Sequence, residues 1–183
     1  MKKYKLTDET TIALGVTLYR IVALIDFADV KKGDKGGFVK SEENLSQNGD
    51  CWVYGDAKVF DRAKVFEDAK VYSKAEVYGD AEVYGKARVD NKARVFGNAF
   101  VFGNAYVFSY AEVCDYAIVC EDAAVHGYAA VFGEATIGDS ARVWGNAEVY
   151  GNSEICDNAH VGDNAEICGN TKVFGDAGVC RDA

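Results

Sequence analysis

An aliphatic residue stands at every sixth position from Val53 to Val179, in 22 consecutive hexads without an insertion. Nineteen of these positions are Val and three are Ile, and a small residue, nearly always Ala, follows four positions later. Small, outward, aliphatic and outward positions alternate within a unit, which is the period of two that is typical of a β-strand. The next two residues are corner types such as Gly-Asp or Asp-Asn, which permit positive φ. Each hexad is therefore predicted to be a short strand followed by a bend.

Such short strands must stack, because one of them cannot bury its inner face alone. Three strands and three bends close a triangular coil of 18 residues, with Val filling the interior and Ala near the corners. At a strand spacing of ~4.8 Å, a little over seven coils make a prism about 35 Å long. We therefore predict an all-β parallel β-helix, a triangular prism of about seven coils, over residues 53–183. A right-handed β-solenoid with larger coils is the alternative, and periodicity alone does not decide handedness.

The units Ile137-Gly-Asp-Ser-Ala-Arg-Val143 and Val161-Gly-Asp-Asn-Ala-Glu-Ile167 resemble the hexapeptide repeat of left-handed parallel β-helix proteins. The resemblance implies a left-handed coil, which is an exception to the usual right-handed crossover. Residues 27–38 and 44–54 resemble the lead-in of uncharacterised hexapeptide-repeat proteins of bacteria and phages. Some of those proteins carry an acyltransferase label because of the repeat alone. The resemblance therefore implies a bacterial, phage or prophage origin.

Residues 1–52 precede the repeat and are predicted to form a small β cap. The stretch TTIALGVTLYRIVAL, residues 10–24, predicts a hairpin with a bend near Gly15. Three glycines predict a loop before a strand at residues 38–39: Gly33, Gly36 and Gly37. The cap would cover the first coil, whose open strand edge would otherwise recruit other chains. No such segment follows the last coil at residues 179–183, so we expect either a truncated chain or pairing of that edge with a second molecule.

The net charge of −9 is unevenly distributed along the chain. Residues 53–95 carry nine basic and eight acidic side chains, whereas residues 96–183 carry three basic and thirteen acidic ones. A nucleic-acid-binding protein needs clustered Lys and Arg to neutralise phosphates, so we expect no direct binding to nucleic acid. The acidic half favours solubility. The alternative is an acidic rod that mimics nucleic acid and inhibits a host enzyme.

The cysteines predict a cytoplasmic protein with free thiols. Residues 2–24 contain no long apolar run, so neither a signal peptide nor a membrane span is expected. Six Cys without a signal peptide favour a reducing compartment. Cys120 and Cys156 share a column but lie two coils apart, about 10 Å, which is too far for a disulfide. We predict neither a metal site nor a bound cofactor.

Two enzyme classes share the resembled fold. The carbonic-anhydrase-like members bind zinc through three His, and a catalytic zinc needs three protein ligands, whereas this chain has only His126 and His160. The acyltransferases bind acyl-coenzyme A between neighbouring prisms of a trimer and use a His as general base. The repeat has no excursion to build such a site, and both His occupy ordinary outward slots. An acyl-CoA-dependent acyltransferase with His126 or His160 as base therefore remains the alternative to a non-catalytic protein.

The outward slots lose their charges in the middle coils, where apolar and aromatic residues replace them. Tyr also replaces Asn, Asp or Lys at three bends. An apolar, Tyr-rich surface of this kind is typical of an interface. The predicted interaction surface comprises Phe100, Phe102, Tyr106, Phe108, Tyr110, Tyr116, Ile118, Tyr128 and Trp144. We therefore predict a non-catalytic scaffold or protein-binding module that forms a homo-oligomer, with a trimer as the first candidate, or that binds another protein.

Overall fold

The computed structural model describes residues 2–181. The last two residues of the predicted open edge, 182–183, lie outside the described residues. The chain forms a triangular prism whose three faces are parallel β-sheets, with one 3-10 turn at Glu42–Asn44. Strands are numbered in chain order, and each face is named by its sheet.

Face 1 consists of ten strands, which begin with three long ones from the N-terminal segment. They are β1 (Tyr4–Ala13), β2 (Val16–Ala23), β3 (Lys35–Val39), β5 (Lys58–Val59), β8 (Glu76–Val77), β11 (Arg94–Val95), β14 (Glu112–Val113), β17 (Ala130–Val131), β20 (Glu148–Val149) and β23 (Glu166–Ile167). The first two pairings, β1 with β2 and β2 with β3, are antiparallel, and all the others are parallel.

Face 2 consists of seven parallel strands: β6 (Lys64–Val65), β9 (Glu82–Val83), β12 (Phe100–Val101), β15 (Ile118–Val119), β18 (Thr136–Ile137), β21 (Glu154–Ile155) and β24 (Lys172–Val173). Face 3 consists of eight: β4 (Trp52–Val53), β7 (Lys70–Val71), β10 (Arg88–Val89), β13 (Tyr106–Val107), β16 (Ala124–Val125), β19 (Arg142–Val143), β22 (His160–Asp163) and β25 (Gly178–Arg181). The chain visits face 1, face 2 and face 3 in turn, so paired residues lie 18 positions apart. The predicted coil of 18 residues is therefore confirmed.

The core is a column of aliphatic and small side chains along the prism axis. The Val or Ile of every hexad from Val53 to Val161 is fully buried. Ser153, in a slot that Ala occupies elsewhere, is 1% exposed and donates its hydroxyl to the Tyr150 carbonyl at 2.7 Å. Burial of these apolar side chains stabilises the stack by roughly 25 cal/mol for each Å² removed from water.

The corners turn through a left-handed residue at one fixed position of the hexad. From residue 55 to residue 175, the first corner residue of every hexad has a φ between 52° and 78°. Where that residue is an acid, its carboxylate can reach the next coil. Glu67 accepts a hydrogen bond from the Gly85 amide at 2.9 Å, and Asp157 accepts one from the Gly175 amide at 2.8 Å. These bonds offset part of the cost of positive φ at a residue other than Gly.

The N-terminal hairpin covers the first edge of face 1. Its tip lies at Leu14 and Gly15, both with positive φ, and β2 pairs with the outer edge of β3. The prediction of a loop at Gly36 and Gly37 is wrong, because both lie within β3. A Cβ at Gly36 would come within 2.7 Å of the Trp52 ring, and one at Gly37 within 2.4 Å of the Ala57 carbonyl oxygen. These glycines therefore allow β3 to pack closely against Trp52 and Ala57.

The segment before the repeat also extends the prism by one coil. β3 pairs in parallel with β5, and Leu45 forms a parallel bridge with Val65. The prism therefore has about eight coils rather than seven, because residues 35–52 supply the first one. The domain boundary at residue 53 stays a prediction from the repeat.

Candidate interaction surface

The predicted surface residues lie on two faces and two corners of the middle coils. Phe100, Phe102 and Ile118 lie on face 2, and Tyr106, Phe108 and Trp144 lie on face 3. The corner between faces 2 and 3 is polar at this level, where the Asn104 amide donates to the Asp122 carboxylate at 2.9 Å. The nine residues therefore form two separate surfaces rather than one.

The larger surface, called the aromatic strip below, lies on face 3 and on the corner between faces 3 and 1. It comprises Tyr106, Phe108, Tyr110, His126, Tyr128 and Trp144. Phe108 stacks on Tyr106 with ring centroids 4.3 Å apart, and on His126 at 4.7 Å. Burial raises the pKa of Tyr106, and the nearby Asp90 carboxylate, which accepts its hydroxyl hydrogen bond at 3.3 Å, adds to the shift. These rings are half-buried and held by their neighbours in adjacent coils.

Tyr110 and Tyr128 form the most exposed part of the aromatic strip. They occupy the same corner position in successive coils and stack with ring centroids 4.8 Å apart. Lys92 lies on the coil before Tyr110. Its ammonium is 4.9 Å from the centroid of the Tyr110 ring, which is a cation–π contact. Tyr110 is nevertheless 45% exposed and Tyr128 65% exposed. The pair therefore presents apolar area that is already ordered, so little side-chain entropy would be lost on binding.

Trp144 ends the aromatic strip and owes its position to a glycine one coil further on. A Cβ at Gly162 would come within 2.2 Å of the Trp144 ring. Gly162 does not have the positive φ of the corner glycines. Its absent side chain therefore makes room for the indole, and backbone conformation does not require a glycine there.

The smaller surface, called the face-2 patch below, comprises Phe100, Phe102, Tyr116 and Ile118. Phe100 and Ile118 are directly paired on β12 and β15, and Glu82 and Thr136 flank them on the same face. Phe102 stacks on Tyr84 at 4.9 Å as the end of a three-ring ladder that begins at Phe66. Tyr116, at the corner that leads into β15, is 61% exposed. Tyr116 is therefore the most exposed ring of this patch.

Sequence reasoning missed a groove along the corner between faces 3 and 1. The groove measures about 570 Å³ and runs from the Gly55–Asp56 corner to the Ser109–Tyr110 corner, one pair of residues from each coil. Its remaining lining residues are Ser73, Lys74, Asn91 and Lys92. The signal was present in the column Asp56, Lys74, Lys92, Tyr110 and Tyr128, read at intervals of 18. The groove thus passes the basic side chains of Lys74 and Lys92 and ends at Tyr110, the first ring of the exposed Tyr pair.

The two histidines lie on face 3 but do not form a catalytic arrangement with each other. His126 is stacked on Phe108, and burial lowers its pKa, as does the positive charge of Arg142. His160 is exposed and pairs across strands with Arg142 and Gly178. Neither imidazole has a hydrogen bond or ion pair to a carboxylate within residues 2–181. A general base held by an acidic partner is therefore not assembled around either His.

The thiols are all free, and burial holds several of them in the protonated form. Burial raises the pKa of Cys114 to about 11, and it also raises the pKa of Cys120 and Cys156. Thiols with a raised pKa are poor nucleophiles at neutral pH. In the described part of the chain, no three His, Cys, Asp or Glu side chains converge to hold a metal ion.

The fold and the repeat together relate this chain to known proteins. The family model for the bacterial transferase hexapeptide, six repeats, matches residues 134–169. These residues lie in the stack of parallel coils described above, whose period is 18 throughout. The chain is a hexapeptide-repeat β-helix protein.

This hexapeptide-repeat protein also resembles one curated bacterial protein over a short span. It is 37% identical over 62 residues to the uncharacterized acetyltransferase YdcK of Escherichia coli strain K12. The match covers 30% of this chain and 19% of that protein. The chain therefore spans about a fifth of that relative's length. The residues matched by the family model include Trp144 and His160 but none of the aromatic residues at positions 100–128.

Proposed function

We propose that this hexapeptide-repeat protein is a non-catalytic β-helical scaffold that associates with itself through the aromatic strip. The observation that carries the proposal is the stacked pair Tyr110 and Tyr128, which is ordered by its neighbours and yet 45% and 65% exposed. Tyrosine is enriched in the buried centres of protein interfaces, where its ring supplies apolar area and its hydroxyl finds a partner. Phe108 and Trp144 extend the same surface on face 3. The rigid prism presents these rings without any conformational change.

The test of this function is the native mass of the Tyr110→Asp, Tyr128→Asp double variant. Two carboxylates in the centre of a contact would remain unpaired and desolvated, so we expect the wild-type protein to be an oligomer and the variant a monomer. Light scattering after size-exclusion chromatography measures both masses. Phe174→Asp is a matched control, because Phe174 is also 65% exposed but lies on face 2 near the far end of the prism. Unchanged mass in the double variant would remove the aromatic strip as the contact surface.

A parallel variant separates the two surfaces. Phe100→Asp with Ile118→Asp places two charges on the face-2 patch and leaves the aromatic strip intact. We expect this variant to keep the wild-type mass, because Phe100 and Ile118 are both partly buried in the isolated prism. Loss of the oligomer in this variant alone would assign the contact to the face-2 patch.

The second candidate function is acyl transfer from acyl-coenzyme A, and the description of the matched family and the name of the relative favour it. Under the scaffold proposal, acetyl-coenzyme A leaves the Tm of the wild-type protein unchanged. The His126→Ala and His160→Ala variants then also show no change with the ligand. A rise in Tm with acetyl-coenzyme A, together with acetyl transfer that either His variant abolishes, would establish the enzyme instead.

We also infer a cytoplasmic location from the thiols. All six cysteines are free, and five of them occupy outward slots of the prism. Partly exposed thiols of this number persist in a reducing compartment and would be oxidised outside it. Separately, among residues 2–181 there is no helix with the length and apolar composition needed to cross a membrane.

A further inference from the structure

We infer that the partner at the aromatic strip is a second copy of this chain in antiparallel orientation, related by a two-fold axis that passes between Tyr110 and Tyr128. The inference rests on the proposed self-association and specifies its geometry. Three observations carry it: the position of the exposed Tyr pair in the middle coils, the opposite charge on either side of it, and the one-coil spacing of the residues concerned.

The charges on this corner and at the adjoining strand starts of face 1 change sign across the Tyr pair. On the N-terminal side the corner carries Lys92 and Lys74, one and two coils before Tyr110. On the C-terminal side the column that holds Lys74 and Lys92 continues with the uncharged Asn146 and Asn164. Carboxylates lie beside them on face 1, at the start of β20 and β23. A two-fold axis brings the N-terminal, basic side of one copy against the C-terminal, acidic side of the other.

Two of these charges have no partner within the monomer. Lys58 pairs with Glu76 and Arg94 pairs with Glu112 on face 1, but neither Lys74 nor Glu148 forms an ion pair with another residue in the 2–181 range. Both side chains are exposed. They are therefore available to a second molecule at little desolvation cost.

The register follows from the coil spacing. Successive residues of this corner are 18 positions and about 4.8 Å apart. An axis midway between Tyr110 and Tyr128 places each of them against the other in the partner copy. It also places Lys92 level with the partner's Asn146, beside the partner's Glu148. Lys74 lies level with the partner's Asn164 by the same arithmetic.

A parallel arrangement would bring like charges together. Residues 96–183 carry thirteen acidic and three basic side chains, so parallel prisms would place these acidic halves side by side. The antiparallel arrangement places each acidic half beside residues 53–95, which carry nine basic and eight acidic side chains. The antiparallel arrangement therefore avoids the repulsion between two acidic halves, and such repulsion disfavours the parallel orientation. The charge pattern therefore selects the antiparallel pair over a parallel trimer.

Zero-length crosslinking with a carbodiimide tests the geometry directly. Within one molecule Lys92 and Glu148 lie three coils apart, about 14 Å along the axis, which is too far for a direct amide bond between their side chains. We therefore expect a Lys92–Glu148 crosslink, identified by peptide mass spectrometry, only in the band that contains two chains. The Tyr110→Asp, Tyr128→Asp variant should lose it.

A charge-reversal series tests the same contact in solution. Lys92→Glu should raise the dissociation constant of the dimer roughly tenfold, because the symmetric interface contains the altered pair twice. Adding Glu148→Lys to that variant should restore most of the affinity. Lys86→Glu is the matched control, because Lys86 is an exposed corner lysine between faces 2 and 3, away from the aromatic strip. High salt should weaken the wild-type dimer, as screening shortens the range of these charges.

The outcomes distinguish this inference from the proposed function. A mass of two chains, the crosslink and rescue by the double reversal support the antiparallel pair. A mass of three chains that the Tyr double variant abolishes, with no effect of Lys92→Glu, overturns the antiparallel geometry and leaves self-association in place. A monomer at every concentration overturns both.

Discussion

At the scale of single residues, the clearest evidence of specific packing comes from positions at which a glycine replaces the usual side chain of the repeat. Gly162 occupies a slot that holds an aromatic ring in five other coils of face 3, and the Trp144 ring fills the space above it. Trp144 is thereby seated against the backbone at the end of the aromatic strip. A glycine in such a slot reveals a specific contact because the buried Val and Ala positions are nearly the same in every coil.

Gly162→Ala should displace the Trp144 indole. The added Cβ would lie within 2.2 Å of that ring, so either the ring or the strand must move, and overpacking of this kind costs about 1–3 kcal/mol. We expect a lower free energy of unfolding in urea and a red shift of Trp144 fluorescence, recorded in a Trp52→Phe background. In a Trp144→Ala background the same Gly162→Ala change should cost little, because the collision is gone. An equal cost in both backgrounds would show that Gly162 serves the backbone rather than the indole.

At the scale of elements, the first coil depends on contacts that the hexad pattern does not contain. β3, which belongs to this first coil, lies so close to the Ala57 carbonyl that Gly37 has no room for a side chain. Arg20 on β2 donates to the carbonyl oxygens of Gly36 and Gly55 at 2.8 and 3.0 Å. Asp29 accepts hydrogen bonds from Lys70 at 2.6 Å and from the Tyr54 hydroxyl at 2.7 Å, and the Lys70 and Tyr54 bonds lower the pKa of that carboxyl. The cap is therefore joined to both faces 1 and 3.

Gly37→Ala should separate the cap from the prism. The new Cβ would lie 2.4 Å from the backbone carbonyl oxygen of Ala57, which cannot yield as a flexible side chain would. We expect amide hydrogens of β3 and β5 to exchange faster while those of β14 and β17 keep their protection. Gly178→Ala is the control, since a Cβ there meets no atom within 4 Å. Uniform protection along the chain in the Gly37 variant would show that β3 adapts without leaving the sheet.

The elements also show how far the sequence alone predicts the structure. The strands, the corners, the coil of 18 residues and the hairpin at Gly15 follow from local periodicity and turn chemistry. The position of Gly36 and Gly37 within β3 does not follow from local sequence. It depends on close packing against Trp52 and Ala57, which lie about 15 to 20 residues further along the chain and share no local pattern with the glycines. The stacking of Phe108 on His126 follows from the interval of 18. The separation of the predicted surface into two parts depends on the polar corner at Asn104, which becomes visible only when the columns are arranged around the prism.

At the scale of the whole molecule, the prism combines a uniform interior with a surface that changes along its length. The buried Val and Ala are nearly the same in every coil, so they determine the architecture and carry no information about a partner. The outward slots pass from charged pairs, through aromatic rings, to an acidic end. A rigid rod with such a gradient can present several chemical environments at fixed distances. Both the proposed self-association and the proposed antiparallel orientation depend on this gradient of surface chemistry rather than on a pocket.

The uniform core has a further consequence for how the chain finds its native register. A strand that pairs one coil too early or too late still buries Val against Val and Ala against Ala, so its interior contacts barely distinguish the slipped arrangement from the native one. A contact that exists once in the chain, and at its beginning, can set the register of the coils that follow. The fit of Gly36 against Trp52 and of Gly37 against Ala57 is such a contact. The cap therefore fixes the register in which the first coil pairs, and the rest of the chain can fold onto it one coil at a time.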